Sequence, residues 1–223
     1  MHNKNNLRGL IKACDCVLTI NPNLEKELKR RYSKLNIKYI PLMPEKEVKL
    51  ETTTVKYDII SIGNTKRDYP LLTKAAGGLP YKCLIVTAQD IGNVPENVTV
   101  INDRLDYAEC LALYMQSKII AIPITAEATE GVFGLTSLVD ALYTCKPVVV
   151  TKTTGLGIQI EKNRLGMEAE AGNTEAMRKA IQQLMQDEEL RDKISNNIKK
   201  FKERNNMENS AGEICKAFKE IMN

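Results

Sequence analysis

Tryptophan is missing from this 223-residue chain, histidine occurs once, and aromatic residues make up only 5% of it. The one histidine is His2, at the start of the sequence. Mechanisms that need a positioned imidazole are therefore set aside, among them serine-hydrolase, papain-like and His-ligated zinc chemistry. The six cysteines, at 14, 16, 83, 110, 145 and 215, form no CxxC pair and follow no regular spacing. This suits reduced thiols better than a disulfide framework. The opening Met1-His2-Asn3-Lys4-Asn5-Asn6 lacks the apolar stretch of a signal peptide, and no apolar run approaches the ~18 residues of a membrane span. The expectation is a soluble, cytoplasmic protein, still able to rest on a membrane surface. Neither GxGxxG nor a Walker A sequence occurs, which argues against dehydrogenases and P-loop enzymes.

What is present is enough for one large domain, or one domain with a substantial appendage, at ~150 residues per domain. Charge is unevenly spread: residues 1–50 hold 11 Lys/Arg against 5 Asp/Glu, residues 51–223 hold 21 against 23. Much of the basic excess falls in 23–34, where Lys26, Lys29, Arg30, Arg31 and Lys34 cover most of a helix surface. Such a surface suits anionic lipid or a phosphorylated acceptor, although its commoner use is a solvated face. Nucleic acid is not expected as a partner, because the net charge of +4 is mild and no aromatic residues interleave with the basic ones.

Periodicity predicts strands at 16–20, 37–40, 57–62, 82–87, 98–101, 119–122, 147–151 and 165–170. Helices are predicted from Pro22, over 69–76, 107–116 and 136–143, and from Thr174, Asp187 and Ser210 onward. The runs DIISI, CLIVT, IIAI and PVVV are β-branched and barely alternate, as parallel strands covered on both faces do. Strand alternating with helix in units of roughly 30 residues gives an α/β fold, a doubly wound Rossmann-like parallel sheet. The expected division is an αβαβ piece over 1–44, a linker over 45–56, the Rossmann-like domain over 57–204 and a C-terminal helix over 205–223.

In such a sheet ligands bind beyond the carboxyl ends of the strands. Two strand ends stand out. After 119–122, Gly131 and Gly134 permit a tight loop, Thr136 and Ser137 bring hydroxyls to a helix start, and Asp140 lies one turn on. Free N–H groups and the helix dipole there suit a diphosphate, and Asp140 suits ribose hydroxyls; ordinary capping by Thr136 with a solvated Asp140 fits the same spacing. After 57–62, Gly63 ends the strand and Lys66 and Arg67 follow, cations for a phosphate, unless Arg67-Asp68 is a surface ion pair.

These stretches resemble the nucleotide-sugar-binding, C-terminal half of retaining glycosyltransferases with the GT-B fold, the glycosyl transferases group 1 family. The residues that carry the resemblance are Gly134 to Ala141, then Cys145-Lys146-Pro147-Val148-Val149, with Cys145 where the family has glycine. Gly63 to Pro70 is similar to the family's Gly-Arg-x-x-Arg-Asp-Tyr loop, with Asn64 in place of the first arginine. Thr153 to Gly157, Gly166 and Gly172 to Met177 look like its closing segment, and the αβαβ piece is similar to the end of the acceptor-side half.

The resemblance implies that a nucleoside diphosphate sugar is bound by Gly63, Asn64, Lys66, Arg67, Glu127, Gly134, Thr136, Ser137 and Asp140. It gives catalytic roles to Arg67 and Glu130 and base contacts to the backbone of 101–105. No metal and no cofactor is implied beyond the sugar donor. The acceptor, whether glycan, lipid or small molecule, is left open. Because the acceptor-side half is represented only by the αβαβ piece, an oligomer or a companion acceptor-domain chain is expected, and little transfer by this chain alone. The alternatives are a non-catalytic nucleotide-binding or regulatory module and a nucleotide-sugar epimerase of the same fold; the latter normally wants acid/base groups that a His-poor chain does not offer.

Overall fold

The computed structural model describes residue 9, residue 11, residues 13–45 and residues 53–222. Parts of the expected 1–44 piece, and most of the expected linker, lie outside the described residues. Strands β1 (Cys16–Thr19) and β2 (Asn36–Tyr39) pair in parallel and are joined by α1 (Pro22–Arg31). Asn21 caps α1 by accepting from the amides of Asn23 and Leu24, and Pro22 supplies the preset first helical φ. Ile11, Leu28 and Ile37 form the small core of this unit.

The main sheet has six strands: β3 (Tyr57–Ile62), β4 (Cys83–Val86), β5 (Val98–Ile101), β6 (Ser117–Ile122), β7 (Val148–Thr151) and β8 (Gly166–Ala169). Their order is β5-β4-β3-β6-β7-β8 and every pairing is parallel. All four residues of β4 and of β7 are buried, as the unbroken apolar runs required. The crossovers include α2 (Tyr69–Ala76), α3 (Tyr107–Met115) and α4 (Leu135–Tyr143). Helices α5 (Thr174–Gln186), α6 (Glu188–Arg204) and α7 (Met207–Met222) close the chain. Helix α2 packs on α5, and α3 on α4, so both faces of the sheet are covered.

The predicted elements are present, with shifted ends. Strand β6 starts at Ser117, earlier than its apolar run, because Ser117 is fully buried and donates to the carbonyl of Tyr114. Helix α7 starts at Met207 and not at Ser210: Asn206 accepts from the amide of Asn209, while the Ser210 hydroxyl is spent on the carbonyl of Pro41. Helix α4 is entered through Gly134 in a left-handed conformation, φ +86°, so Thr136 is not its cap.

The small unit is tied to the large one at several points. Asn21 Nδ2 and Asn23 Nδ2 both donate to the carbonyl of Glu130, and Asn23 Nδ2 also reaches Thr154 Oγ1 at 2.9 Å. The Tyr39 hydroxyl sits against Gly157, where a Cβ would collide with it. Met207 N–H donates to the carbonyl of Pro44, and Lys38 pairs with Glu220 on α7.

Helix α4 ends in a Schellman arrangement: Lys146 N–H donates to Ala141 O at 2.9 Å and Cys145 N–H to Leu142 O at 3.1 Å. Cys145 takes the left-handed position with φ +56°. An L side chain there is strained where glycine is not, so Cys145→Gly is expected to stabilise the fold by about 0.5–1 kcal/mol. Thermal unfolding should show a melting temperature raised by roughly 1–4 °C; an unchanged or lowered value refutes the strain.

Candidate nucleotide-binding site

Strand order reverses between β3 and β6, whose outgoing helices leave to opposite faces. A crevice therefore opens beyond the carboxyl ends of these two strands. Residues from both loops meet in it.

Beyond β3, Gly63 has φ +148°. A Cβ on it would lie 2.7 Å from Arg67 Nη2 and 2.9 Å from Arg67 Cζ, so the guanidinium rests directly on the Gly63 backbone. The Tyr69 hydroxyl donates to the Gly63 carbonyl at 2.7 Å and fixes the turn. The loop is stitched to the β6–α4 connection by Asp68 N–H to Pro123 O, Thr125 N–H to Lys66 O, and an antiparallel bridge between Arg67 and Ile124.

Arg67 is only 7% exposed. Its Nη2 donates to Ser137 Oγ at 2.8 Å and its Nη1 to Thr65 O at 3.2 Å, while the buried Nε has no partner among the described residues. Burial lowers its pKa, yet a guanidinium remains charged at any working pH. The surface pair with Asp68 is overturned: Asp68 caps α2, accepting from Leu71 N–H at 3.1 Å. Gly134 packs from the other side, where a Cβ would lie 2.9 Å from Ile122 and Ile124 side-chain atoms and 3.6 Å from Arg67 Nη1.

Among the described residues, no side chain caps α4. Thr136 is exposed, and no group among the described residues accepts from the amides of Thr136 and Ser137. The Ser137 hydroxyl, expected to face a diphosphate, instead points inward: it accepts from Arg67 and donates to Ile62 O at 3.0 Å. Ser137 therefore offers an anion its amide only. Asn64, also expected at the ligand, spends its side chain at the end of β4, accepting from Thr87 Oγ1 and Ala88 N–H.

Lys66, with φ +55°, is exposed and pairs with Glu127 at 3.2 Å. Glu127 lies in a single 3-10 turn, Ala126–Ala128, and its pKa is lowered by its own backbone amide, Thr125 and Lys66. Glu130 is exposed, and its backbone is held by Asn21 and Asn23. Asp140 lies in the second turn of α4, half-buried, and burial pushes its carboxyl up to about 6. Tyr107, at the start of α3, donates its hydroxyl to Asp140 Oδ1 at 3.2 Å. Neither Tyr107 nor the asparagines of α1 are marked by sequence pattern; the only hint is the Asn-Pro-Asn cap beside a strand end. Among the described residues, no group of three or more His, Cys, Asp or Glu is placed to hold a metal ion.

Comparison with known proteins bears on the family and the fold. The sequence model described as Glycosyl transferases group 1 matches residues 64–201. A D-inositol 3-phosphate glycosyltransferase of Corynebacterium urealyticum is 25% identical over 140 residues, 63% of this chain and 31% of that protein. The structure of Anabaena Alr3699/HepE in complex with UDP-glucose superposes with a TM-score of 0.73 at 16% identity, covering 98% of this chain and 68% of that one. The C-terminal domain of a glycosyl transferase group 1 family protein (LpcC) from Francisella tularensis gives 0.53 at 17% identity, over 73% of this chain and 94% of that domain. The chain thus spans about a third of the curated relative that it matches.

The Asp140 carboxyl makes stability depend on pH. Folded, it keeps its proton up to about pH 6; unfolded, it releases it near 3.8. Stability is therefore full below the unfolded value and is lost as pH rises through the folded one. A shift of this size corresponds to about 3 kcal/mol, cut to roughly 1 kcal/mol by the solvent that still reaches the group. Asp140→Asn should match the parent protein near pH 4 and exceed it by roughly 1 kcal/mol at pH 7.5 in urea unfolding. A difference that does not vary with pH would contradict the burial argument.

Proposed function

The chain belongs to the glycosyl transferases group 1 family, and from that premise we propose that its six-stranded unit is the donor half of a glycosyltransferase, binding a nucleoside diphosphate sugar in the crevice between Gly63 and Thr136. The carrying observation is Arg67: a guanidinium buried between two glycines, with an unpartnered Nε, beside an uncapped helix start. A buried unpaired cation is costly, and a diphosphate offsets that cost with charge-assisted hydrogen bonds. The amides of Thr136 and Ser137 and the dipole of α4 add to the same anion site. Lys66 stands at its rim, Asp140 takes ribose hydroxyls, and Glu127 or Glu130 faces the sugar. The backbone of 101–105 serves the base.

In transfer, the bond between the sugar's anomeric carbon and the diphosphate oxygen breaks as a bond to an acceptor oxygen forms. Negative charge grows on the departing diphosphate, where Arg67 and the α4 amides stabilise it without reorganising. No metal is needed for this role in our reading. The acceptor side begins with the β1–α1–β2 unit, which is hydrogen-bonded to Glu130 and Thr154 at the same crevice. The rest of the acceptor surface comes from a further half or a companion chain, and without it the reading allows slow donor hydrolysis at most.

Calorimetry with UDP, GDP and ADP at millimolar concentration should show binding of at least one. Arg67→Lys, which keeps the charge and loses the fork, should weaken it by roughly 1–3 kcal/mol. No binding of any of the three by the parent protein refutes the reading.

A further inference from the structure

Tyr107 is 63% exposed in a chain with few aromatic side chains, yet its hydroxyl is tethered. The phenol reaches from the first residue of α3 to the second turn of α4 and ends 3.2 Å from Asp140 Oδ1. Both helices begin at the carboxyl edge of the sheet, so the ring spans the groove between them on the side where the nucleoside is proposed to lie. The start of α3 is itself fixed: Asp106 and Glu109 form a capping box, at 2.8 Å in both directions. The point from which Tyr107 projects is therefore rigid.

We propose that Tyr107 is a positioning residue for nucleoside recognition: by donating to Oδ1 it fixes the Asp140 carboxylate and leaves the second oxygen to accept from a ribose hydroxyl. This rests on the donor-site reading above and adds to it a residue that acts through Asp140. Burial beside Asp140 raises the phenol's pKa to about 12, so it remains a donor throughout the working range. The titratable groups around the pair are Asp106, Tyr107, Glu109, Cys110 and Tyr114 at the start of and along α3, Tyr143 on α4, Glu45 after β2 and, beside Tyr114, Arg67. The cation among them, Arg67, acts on Tyr114 and is not among the causes of the Asp140 shift. The Tyr107 hydroxyl is the side-chain group that lowers the Asp140 pKa against the burial that raises it. Its removal should leave the carboxylate both less ordered and harder to ionise.

The test is calorimetric titration of UDP-glucose, GDP-glucose or ADP-glucose, whichever binds the parent protein, between pH 5 and 8. A diphosphate esterified at both ends does not titrate there, unlike the terminal phosphate of a free diphosphate, whose last proton leaves at about pH 6. Affinity in the parent should rise with pH through the Asp140 titration near 6, because ribose hydroxyls donate to the ionised form. Tyr107→Phe should weaken binding about 3- to 10-fold at pH 7.5, the range of one hydrogen bond, and move the midpoint to higher pH. Asp140→Asn should bind weakly with no such midpoint, and adding Tyr107→Phe to it should cost nothing more. An unchanged affinity and midpoint in Tyr107→Phe overturns the proposal, as does an equal loss in the Asp140→Asn background. Tyr107→Leu, which removes the ring as well, should move the midpoint in the same direction. A lowered melting temperature with an unmoved midpoint in that variant marks a purely structural role and also overturns the proposal. Failure of the parent protein to bind any nucleotide overturns the donor-site reading, and this proposal with it.

Discussion

Every strand of the large sheet pairs in parallel, and a parallel strand cannot be reached from its neighbour without a crossover that passes over one face. Both faces are then covered, which is why β4 and β7 are buried from end to end and why their sequences do not alternate. The same constraint collects all six carboxyl ends along one edge. The order β5-β4-β3-β6-β7-β8 makes the crossovers on either side of β3 and β6 diverge, and the gap between the two outgoing loops is the crevice.

Backbone does most of the work in that crevice. Gly63 and Gly134 present no side chain, so the Arg67 guanidinium lies between them out of water. The loops are locked to one another by main-chain hydrogen bonds from Asp68 and Thr125 and by the Arg67–Ile124 bridge. Arg67 thus has a structural task, through Ser137 and Thr65, and an unsatisfied donor left over. A side chain committed to the fold on one edge and free on the other is held at a fixed place before any anion arrives, which lowers the ordering cost of binding.

The small β1–α1–β2 unit shares this frame. Its helix cap Asn21 and the neighbouring Asn23 hold the carbonyl of Glu130, and Asn23 holds Thr154, so the loop that follows β6 and the loop that follows β7 are both tied to the start of α1. The cations of α1 are partly matched within the helix, Lys29 to Glu25 and Arg31 to Glu27. Exposed pairs of this kind contribute little to stability. The asparagine contacts, which join distant parts of the chain, set where the small unit sits.

The sequence by itself determined the parallel α/β sheet, since unbroken β-branched runs separated by amphipathic stretches have few other solutions, and it marked both crevice loops through Gly63, Arg67, Gly134 and Asp140. The residue that stands where the resembled family has glycine, Cys145, falls at the left-handed position after α4. What it did not determine was the direction of individual side chains. The Ser137 hydroxyl turns inward to Arg67, Asn64 turns to the end of β4, and Tyr107 reaches across to another helix. Asn21 and Asn23 find partners more than 100 residues away. Periodicity records which face of an element is buried, and spacing records what one turn brings together. Which polar atom satisfies which depends on how two loops from different strands approach, and only the tertiary structure, by closing the crevice around a buried charge, decides that.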